Sequence, residues 1–544
     1  MCAYSGIFGQ PSCASDLIQS ILRSNRSTLW DGHIVSDATA IELMGDSKWD
    51  NCQPPFPPVT CIPDPFNSHN YTFTVGETAL AALNAGVDVN LGPFYHMWLE
   101  ALVNNGTVSL STLEMSVTRI YTSAIKLGLL DPKQGQMYPN LPPSTVDSIE
   151  HRALALRAAQ ESIVLLSNSL LLLPLKLQST SRIAFIGPHA NSTQAFLSNY
   201  HGENRLVNSH SPLQVALSRG YNVSYALGCN ICDEIPPGFP NMPCTKAVDT
   251  SGIARAVALA ASVDIAVLFL GADQTSEAEN FDRSDIGLLG VQEQLAQAII
   301  AVQPKTIVIL ISGGIICSPW IVQNAPALLY SFYPGELGGD AILDILTGVV
   351  NPSGKLPVTM YYPNITTIRD IRNMDLSSNG GITHSYYNGP ILYPFGSGLS
   401  YTSWKYQLKE EKEEEEMLPL IVNSDELIQL QFSILVQNVG DIQGDCVLLA
   451  FVERMEEENE DNRTKEQDTS IGPRRSLFGF KKLYKVKSKE ERLVKFDLDS
   501  IMKTSNALGF FDEYERKMWI PRKGIYSLQF GDVVNPIKRV IQVV

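Results

Sequence analysis

Short apolar runs that alternate with helical patterns constrain the fold of this chain more than any other feature of its sequence. Four runs of strand length lie in the middle of the chain, and segments with helical periodicity separate them. Such alternation is typical of a mostly parallel sheet with helices on both faces. The runs are Arg182–Gly187, Val263–Leu270, Thr306–Ile311 and Ala327–Phe332.

The same alternation occurs before residue 130, with fewer units. Gly32–Ser36 and Gly86–Gly92 are each predicted as a buried strand, and helical segments follow them. This pattern is typical of an α/β barrel, but a closed barrel needs eight such units and two or three are present. Ala153–Leu166 is predicted as a helix that opens the second α/β region.

Strand patterns dominate the C-terminal part. Many short strands with turn residues between them predict a β-sandwich of the fibronectin type III kind. Two acidic runs, residues 409–416 and 456–468, are predicted to be a charged linker and a long loop. The strand runs are Leu427–Val436, Cys446–Val452, Leu493–Leu498 and Gly524–Phe530.

The composition excludes several classes of function. The net charge of −16 and the pI near 5.0 argue against nucleic acid or an anionic membrane as the main partner. No apolar run of the sequence reaches the length of a membrane span. No Gly-x-Gly-x-x-Gly motif supports nucleotide binding, so we expect neither a cofactor nor a metal ion.

Cysteines and glycosylation sequons favour an oxidising compartment, outside the cell or in the lysosome. Cys52 and Cys61 bracket a proline-rich loop and are predicted to form a disulfide. Cys229, Cys232 and Cys244 cluster in another such loop, where zinc is the weaker alternative because no further Cys pair or His completes a site. The sequons are at Asn25, Asn70, Asn105, Asn191, Asn222, Asn364 and Asn462.

Asp37 is the first candidate catalytic residue. It follows the predicted strand Gly32–Ser36 directly, and in α/β barrels the chemistry lies at the C-terminal strand ends. The alternative is that Asp37 caps the next helix, since Asp is a common N-cap residue.

A second group of carboxylates follows the predicted strand Val263–Leu270. Residues 271–283 contain four acidic side chains, at Asp273, Glu277, Glu279 and Asp282. One interpretation is a solvated acidic loop. The other is that one of these carboxyls faces Asp37 across a domain interface, since two carboxyls that flank a glycosidic bond are the minimum machinery for its hydrolysis.

Several motifs together resemble glycoside hydrolase family 3, in its β-xylosidase/α-L-arabinofuranosidase branch. Gly32–Asp37 is similar to the strand of the family that carries the nucleophile. Three further segments resemble highly specific family motifs in the same order along the chain. They are Tyr333–Gly339, Asn351–Pro357 and Tyr393–Tyr401.

The resemblance implies a retaining exo-glycosidase that removes terminal xylosyl or arabinofuranosyl residues from an oligosaccharide. Asp37 would be the nucleophile and Glu277 the acid/base, with Glu279 as the runner-up. Tyr4 would lie beside the nucleophile and bind substrate there, or simply pack in the barrel.

The resemblance also implies the C-terminal portion of a (β/α)8 TIM barrel, an α/β sandwich and a fibronectin type III-like domain. Because the chain would start inside the barrel, we expect an N-terminally truncated member, without its signal peptide. The expected boundaries are 1–135 (barrel portion), 136–152 (linker), 153–400 (α/β sandwich), 401–424 (charged linker) and 425–544 (fibronectin-like domain).

One departure from the family pattern keeps an alternative function open. The xylosidase branch usually has Ser-Asp-Cys-Asp where this chain has Ser36-Asp37-Ala38-Thr39, so one carboxylate near the nucleophile is missing. The alternative is a catalytically inactive fragment or pseudo-glycosidase that acts as a carbohydrate-binding or interaction protein.

Overall fold

In the computed structural model the chain folds as two compact units, Met1–Val146 and Asp147–Val544. The structure describes residues 11–15, 32–45, 71–72, 74–136, 140–201, 210–234, 244, 246–279, 282–370, 373, 375–409, 419–422, 430–455, 473–497, 509–512, 517–521 and 524–544.

The first unit contains three described α-helices and three short 3-10 turns around a small apolar core. Ile41, Met44 and Phe94 are almost completely buried in that core. The helices are α1 (Val75–Asn84), α2 (Phe94–Asn104) and α3 (Leu110–Lys126), and the 3-10 turns are Ser12–Ala14, Glu42–Met44 and Pro143–Thr145.

The two predicted strands of this unit lie side by side and run parallel. Val35 and Val89 form a parallel β-bridge, and the Ser36 N–H donates to the Val89 carbonyl at 2.9 Å. The pairing is limited to this bridge, so each segment is much shorter than a full barrel strand. It nevertheless places Asp37 directly after a paired, buried residue, since Ser36 is fully shielded from solvent.

A six-stranded sheet forms the centre of the second unit. Its strands lie in the order β1-β6-β5-β4-β2-β3, and all neighbours are parallel except β1, which pairs antiparallel with β6. The strands are β1 (Val164–Asn168), β2 (Ile183–Ile186), β3 (Val223–Ala226), β4 (Ile265–Gly271), β5 (Thr306–Ile311) and β6 (Ala327–Tyr330).

Helices cover both faces of this sheet because its strands are apolar on both sides. Alternate residues of β4 point to opposite faces, so Leu268 packs in one core and Val267 and Phe269 in the other. The helices that pack on the sheet are α4 (Ile149–Ser162), α5 (Pro212–Ser218), α6 (Ile253–Ala261), α7 (Gln292–Val302), α8 (Pro319–Asn324) and α9 (Gly338–Thr347). Two short helices follow, α10 (Ile365–Ile368) and α11 (Thr383–Tyr386).

The strand order places a crevice at the carboxyl edge of the sheet. The chain passes from β2 to β3 on one side and then returns to build β4, β5 and β6 on the other. Loops that leave β2 and β4 therefore diverge, and such a switch point is where open α/β sheets usually bind ligands. The acidic loop 271–283 leaves β4 at this edge.

The structure corrects one predicted element. The helix expected over Ala153–Leu166 ends at Ser162, and Val164–Asn168 is the edge strand β1. Val164 and Leu165 are both almost completely buried. An amphipathic helix does not require two consecutive residues to be buried. An apolar run of this length fits a buried strand as well as a helix, so the tertiary contacts decide.

The C-terminal part is built from two sheets that share one core. Phe432 from the three-stranded sheet and Phe530 from the five-stranded sheet pack together, with ring centroids 5.7 Å apart. The sheet orders are β10-β18-β17-β12-β13 and β14-β11-β9. The strands of these two sheets are β9 (Trp404–Lys409), β10 (Leu420–Val422), β11 (Gln431–Asn438), β12 (Gly444–Arg454), β13 (Arg475–Val486), β14 (Glu491–Asp497), β17 (Gly524–Gly531) and β18 (Ile537–Val543). Two further pairs each form a two-stranded sheet, β7 (Met360–Tyr361) with β8 (Ile391–Tyr393) and β15 (Gly509–Asp512) with β16 (Lys517–Pro521).

A disulfide joins two cysteines of the predicted cluster. Cys232 and Cys244 are bonded, and Cys229 is a buried free thiol. The sulfurs of both residues are therefore part of the disulfide and are not available as thiolate ligands for zinc. The predicted pair Cys52 and Cys61 lies outside the described residues.

Four of the seven sequon asparagines lie in described segments, and all four are exposed, at Asn105, Asn191, Asn222 and Asn364. Asn25, Asn70 and Asn462 lie outside the described residues, as do the acidic run 456–468 and all but the first residue of the run 409–416. None of the helices in the described segments is long and apolar enough to cross a membrane.

His189 makes the stability of the second unit depend on pH. It follows β2, is 1% exposed, and burial lowers its pKa to about 3, partly opposed by the nearby backbone of Ala272. In the unfolded chain the pKa is near 6.5. The unfolded state therefore binds more protons between these values, and the free energy of unfolding falls as the pH drops below about 6.5.

His189→Gln should remove this pH dependence, because glutamine does not titrate. From pH 7 to pH 5 the wild type should lose about 2 kcal/mol more unfolding free energy than the variant, at about 1.4 kcal/mol per pH unit. Urea denaturation at both pH values measures the difference. An equal loss in the two proteins would show that His189 is not buried in its neutral form.

Candidate active site

Asp37 lies half-buried at the end of its short strand in the first unit. Its Oδ1 accepts a hydrogen bond from the Ala38 N–H at 2.9 Å. An N-cap would instead bind the second or third N–H of a helix, and the following 3-10 turn begins after Ile41. The structure therefore does not support the helix-cap interpretation. Oδ2 accepts no hydrogen bond from the described residues.

The backbone that carries Asp37 is held by its neighbours. The Ser36 hydroxyl accepts from the Leu91 N–H at 2.9 Å, and the Thr39 N–H donates to the Leu91 carbonyl at 3.0 Å. Beneath them, the buried Asp88 binds the Ile34 N–H at 2.9 Å and forms an ion pair with Arg119. These contacts hold the backbone at the end of the short strand, and the Asp37 carboxylate follows directly after it. Tyr4, expected beside it, lies outside the described residues.

The acidic loop of the second unit is organised by its first carboxylate. Asp273 Oδ1 accepts from the N–H and the hydroxyl of Thr275, and the Asp273 carbonyl accepts from the N–H groups of Ser276 and Glu277 at 2.9 Å. This turn points the chain back across the carboxyl edge of the sheet. The loop is therefore an ordered structure at Asp273–Glu277, in contrast to the solvated loop that was the alternative.

Glu277 is the centre of a hydrogen-bond network, which we call the Glu277 cluster. Oε1 accepts from the Gly313 N–H at 2.5 Å and from the Tyr333 hydroxyl at 2.6 Å. Oε2 accepts from the Gly314 N–H at 3.1 Å and lies 3.3 Å from Arg283 Nε. Three hydrogen bonds and one ion pair therefore engage both oxygens of the Glu277 carboxylate.

The partners of Glu277 come from three neighbouring loops. Gly313 and Gly314 follow β5, Tyr333 follows β6, and Arg283 ends the acidic loop itself. Glycine is needed after β5, because a Cβ on Gly314 would lie 2.8 Å from Arg283 Nη2 and 3.1 Å from Glu277 Oε2. Burial raises the pKa of the Tyr333 phenol, and the charge of Glu277 raises it further, so Tyr333 stays a hydrogen-bond donor.

Tyr333→Phe should destabilise the second unit, because it removes one donor to a charged and mostly buried acceptor. We expect a loss of about 1.5–3 kcal/mol in the free energy of unfolding, measured by urea denaturation. Tyr387→Phe is the matched control, since its hydroxyl donates to the exposed carbonyl of Pro390 and should contribute about 1 kcal/mol or less. Equal effects of the two substitutions would contradict a stabilising role for the Glu277 cluster.

Glu279 has a different environment, two residues further along. Its side chain is exposed, and Oε2 accepts a hydrogen bond from the Tyr200 hydroxyl. Oε1 has no hydrogen-bond partner in the described part of the chain. Tyr200 belongs to the loop after β2, and Gln274 donates to the Leu197 carbonyl of the same loop at 2.9 Å. The acidic loop thus reaches across the switch point of the sheet.

The two glutamates can therefore do different chemistry. Glu277 is fixed as a hydrogen-bond acceptor, whereas Glu279 has one oxygen free to hold a proton or to pass it on. Sequence reasoning did not identify Tyr333 or Gly313 and Gly314 as partners of the loop. The signal available was their position, because each follows a parallel strand at the same edge of the sheet. Among the described residues no group of His, Cys, Asp and Glu side chains could hold a metal ion.

Comparison with known proteins identifies a domain within the second unit. Residues 163–401 match the model of the glycosyl hydrolase family 3 C-terminal domain. This segment contains the six-stranded sheet, the acidic loop and the Glu277 cluster.

Curated relatives match nearly the whole chain. A probable exo-1,4-β-xylosidase of Neosartorya fischeri is 33% identical over 523 residues, which are 93% of this chain and 61% of the relative. A probable β-D-xylosidase of Arabidopsis thaliana is 30% identical over 99% of this chain and 66% of its own length. The chain therefore spans less than two thirds of the length of these relatives.

Solved structures of the family share the fold. An exo-β-xylosidase, solved with a xylobiose aziridine activity-based probe, superimposes with a TM-score of 0.79 at 25% identity, over 98% of this chain and 64% of the other. A β-glucosidase from Erythrobacter marinus gives a TM-score of 0.75 at 28% identity, over 99% of this chain and 66% of the other. The matched domain, the xylosidase relatives and this shared fold together identify residues 163–401 as a glycosyl hydrolase family 3 C-terminal domain.

Proposed function

We propose that the protein acts as a retaining exo-glycosidase, which hydrolyses terminal β-xylosyl residues of xylan-type oligosaccharides. The observation that carries this proposal is the match to exo-β-xylosidases over nearly the whole chain. A relative from Medicago sativa is named a β-xylosidase/α-L-arabinofuranosidase, which makes α-L-arabinofuranosides the second substrate class. The matched β-glucosidase structures make β-glucosides the third.

We propose Asp37 as the nucleophile. In the first step its carboxylate attacks the anomeric carbon, and the bond to the leaving oxygen breaks as a glycosyl ester forms. A proton donor transfers a proton to the leaving oxygen in the same step. In the second step water attacks the ester, the same donor group takes up a proton from the water, and Asp37 leaves as a carboxylate. Asp37 Oδ2, which accepts no hydrogen bond from the described residues, is consistent with this role.

We propose Glu279 as the proton donor, with Glu277 as the alternative. The resemblance to the family instead implied Glu277 as the acid/base and Glu279 as the runner-up. Our reason for the change is that both Glu277 oxygens are engaged, by three hydrogen bonds and the ion pair with Arg283, whereas Glu279 Oε1 has no partner among the described residues. Glu277 then acts as a positioning residue, because its network fixes the loop from which Glu279 extends.

The wider architecture and setting of the protein are part of the same proposal. We propose that residues 1–135 are the C-terminal portion of a TIM barrel, that 153–400 form the α/β sandwich and that 425–544 form the fibronectin type III-like domain. We also propose a secreted glycoprotein, which the exposed sequons and the Cys232–Cys244 disulfide support.

A carbohydrate-binding protein without activity is the second candidate. One observation favours it: Thr39 stands where the branch usually has a carboxylate. Such a protein would bind xylo-oligosaccharides without cleaving them.

Hydrolysis assays distinguish the two candidates. The substrates are nitrophenyl β-xyloside, α-L-arabinofuranoside and β-glucoside. The proteins are this chain and a longer form, in which the preceding segment of the Neosartorya fischeri relative is fused before residue 1. Turnover of the xyloside by either form supports the enzyme. Failure of both correctly folded forms, with measurable binding of xylobiose, would favour the binding protein.

A further inference from the structure

A cavity lies where the end of the family 3 domain meets the β-sandwich, and none of the described residues of the acidic loop lines it. It has a volume of about 110 Å³. His384 and Phe395 line it from the family 3 domain, and Glu453, Arg474 and Arg475 line it from strands β12 and β13 and the segment that precedes β13. The Arg474 N–H donates to the Ser385 carbonyl at 2.9 Å, which ties the two walls together.

Arg475 is the unusual residue of this cavity. Its guanidinium carbon lies 4.0 Å from the ring centroid of Phe451. The nitrogens Nε and Nη2 are shielded from solvent and have no hydrogen-bond partner among the described residues. Burial lowers the pKa of Arg475, which reflects the loss of hydration around its charge. Most of this side chain is removed from water, and neither nitrogen has a hydrogen-bonded counter-ion among the described residues, which is unfavourable for a cation.

The nearby carboxylate of Glu453 is not a hydrogen-bonded counter-ion of Arg475. Glu453 is the acidic side chain among the described residues that line the cavity. Its Oε1 binds Arg474 Nη2 at 3.2 Å and its Oε2 accepts from Gln529 Nε2 at 2.5 Å. Among the described residues that line the cavity, one carboxylate therefore faces two arginines: Glu453 binds Arg474, and its charge also attracts Arg475, to whose Nε and Nη2 it makes no hydrogen bond.

His384 contributes an imidazole ring to the wall of the cavity. Its ring stacks on Phe395, with centroids 4.2 Å apart. Burial and the charge of Arg475 lower the pKa of His384, so the imidazole is neutral near pH 7. The cavity thus presents one excess positive charge, a neutral imidazole and an aromatic wall.

We propose that this cavity binds a small carboxylate anion through Arg475. Nε and Nη2 lie on the same edge of the guanidinium, which matches the two oxygens of a carboxylate. Because both nitrogens are shielded from solvent, we expect the Arg475 side chain to turn towards the cavity when the anion enters. The net charge of −16 repels anions from the rest of the surface, so a bound anion indicates a dedicated site.

Two sources can supply this carboxylate, a free small acid or the uronate of an acidic sugar. Titration calorimetry of the full chain at low salt with acetate, D-glucuronate and neutral D-glucose distinguishes them. We expect glucose not to bind. Similar binding of acetate and glucuronate identifies a general carboxylate site, and at least about 10-fold tighter binding of glucuronate identifies an acidic-sugar site. Absence of carboxylate binding at 50 mM, on the order of the weakest specific affinities, or equal binding of glucose, would overturn the proposal.

Substitutions locate the site. Arg475→Met should weaken carboxylate binding at least about 10-fold, the factor that corresponds to one charge-assisted hydrogen bond. Arg475→Lys keeps the charge and loses the bidentate edge, so it should also weaken binding. Lys481→Met, at an exposed position of the same strand, is the matched control for loss of charge and should bind like the wild type. Equal weakening by Lys481→Met would show only non-specific attraction and would overturn the assignment.

A measurement on the wild type does not depend on how the variants fold. The chain has eight histidines, so ¹³Cε1 labelling gives few signals to follow. Carboxylate binding adds a negative charge near His384 and should raise its pKa. The signal of His384, assigned with His384→Gln, should therefore shift with added glucuronate or acetate. If that signal is unmoved while others shift, the anion binds elsewhere and the proposal is wrong.

Discussion

Asp37→Asn should reduce kcat for nitrophenyl β-xyloside by at least about 10⁴-fold, in whichever form of the protein turns this substrate over. The amide has the size of the carboxylate but cannot form the glycosyl ester, so the first step of the proposed mechanism has no nucleophile. KM should change little, because substrate binding does not require the negative charge. Steady-state kinetics at saturating substrate measure both parameters.

The control for this substitution is Asp131→Asn, an exposed aspartate of the same unit. It should keep the wild-type kcat and the same thermal midpoint as Asp37→Asn. Retention of more than about 1% of the wild-type kcat by Asp37→Asn would remove Asp37 from the mechanism.

Glu279→Gln should lower kcat by about 10²–10⁴-fold for xylobiose, whose leaving sugar needs a proton. The loss should be much smaller for a dinitrophenyl xyloside, because dinitrophenolate leaves without protonation. Azide, a small anion that needs no general base, should restore the second step and give xylosyl azide as the product. The measurement is kcat for the two substrates, with and without azide. A folding defect would lower kcat for both substrates alike, whereas loss of proton transfer affects mainly xylobiose.

Glu277→Gln provides the contrast. It replaces a carboxylate that accepts three hydrogen bonds and pairs with Arg283, so it should lower stability and reduce kcat for both substrates by a similar factor, without rescue by azide. If Glu277→Gln instead shows the leaving-group dependence and the azide rescue, the proton donor is Glu277 and our order of the two glutamates is reversed.

The strands of the central sheet could be predicted because their signal is local. Val263–Leu270 and Thr306–Ile311 are continuous apolar runs bounded by polar residues, and they form β4 and β5. The edge strand β1 could not be predicted in the same way. Its residues continue the apolar run of α4, and only the antiparallel pairing with β6 selects a strand.

The candidate site was predictable in part, for the same reason. Asp37 and the acidic loop each follow a recognisable strand, so their positions could be derived from short stretches of sequence. The partners of Glu277 could not, because Gly313 and Tyr333 are 36 and 56 residues away in the chain. These distant contacts engage both oxygens of Glu277, and our proposed order of the two glutamates rests on them.

Covalent labelling tests the central claim most directly. A 2-deoxy-2-fluoro xyloside with a good leaving group slows the second step, so a retaining enzyme accumulates its glycosyl ester. The form that hydrolyses nitrophenyl β-xyloside is incubated with this reagent, digested and analysed by peptide mass spectrometry. We predict one fluoroxylosyl adduct, on the peptide that contains Asp37. An adduct on another carboxylate, or inactivation without any adduct at Asp37, would contradict the proposed mechanism.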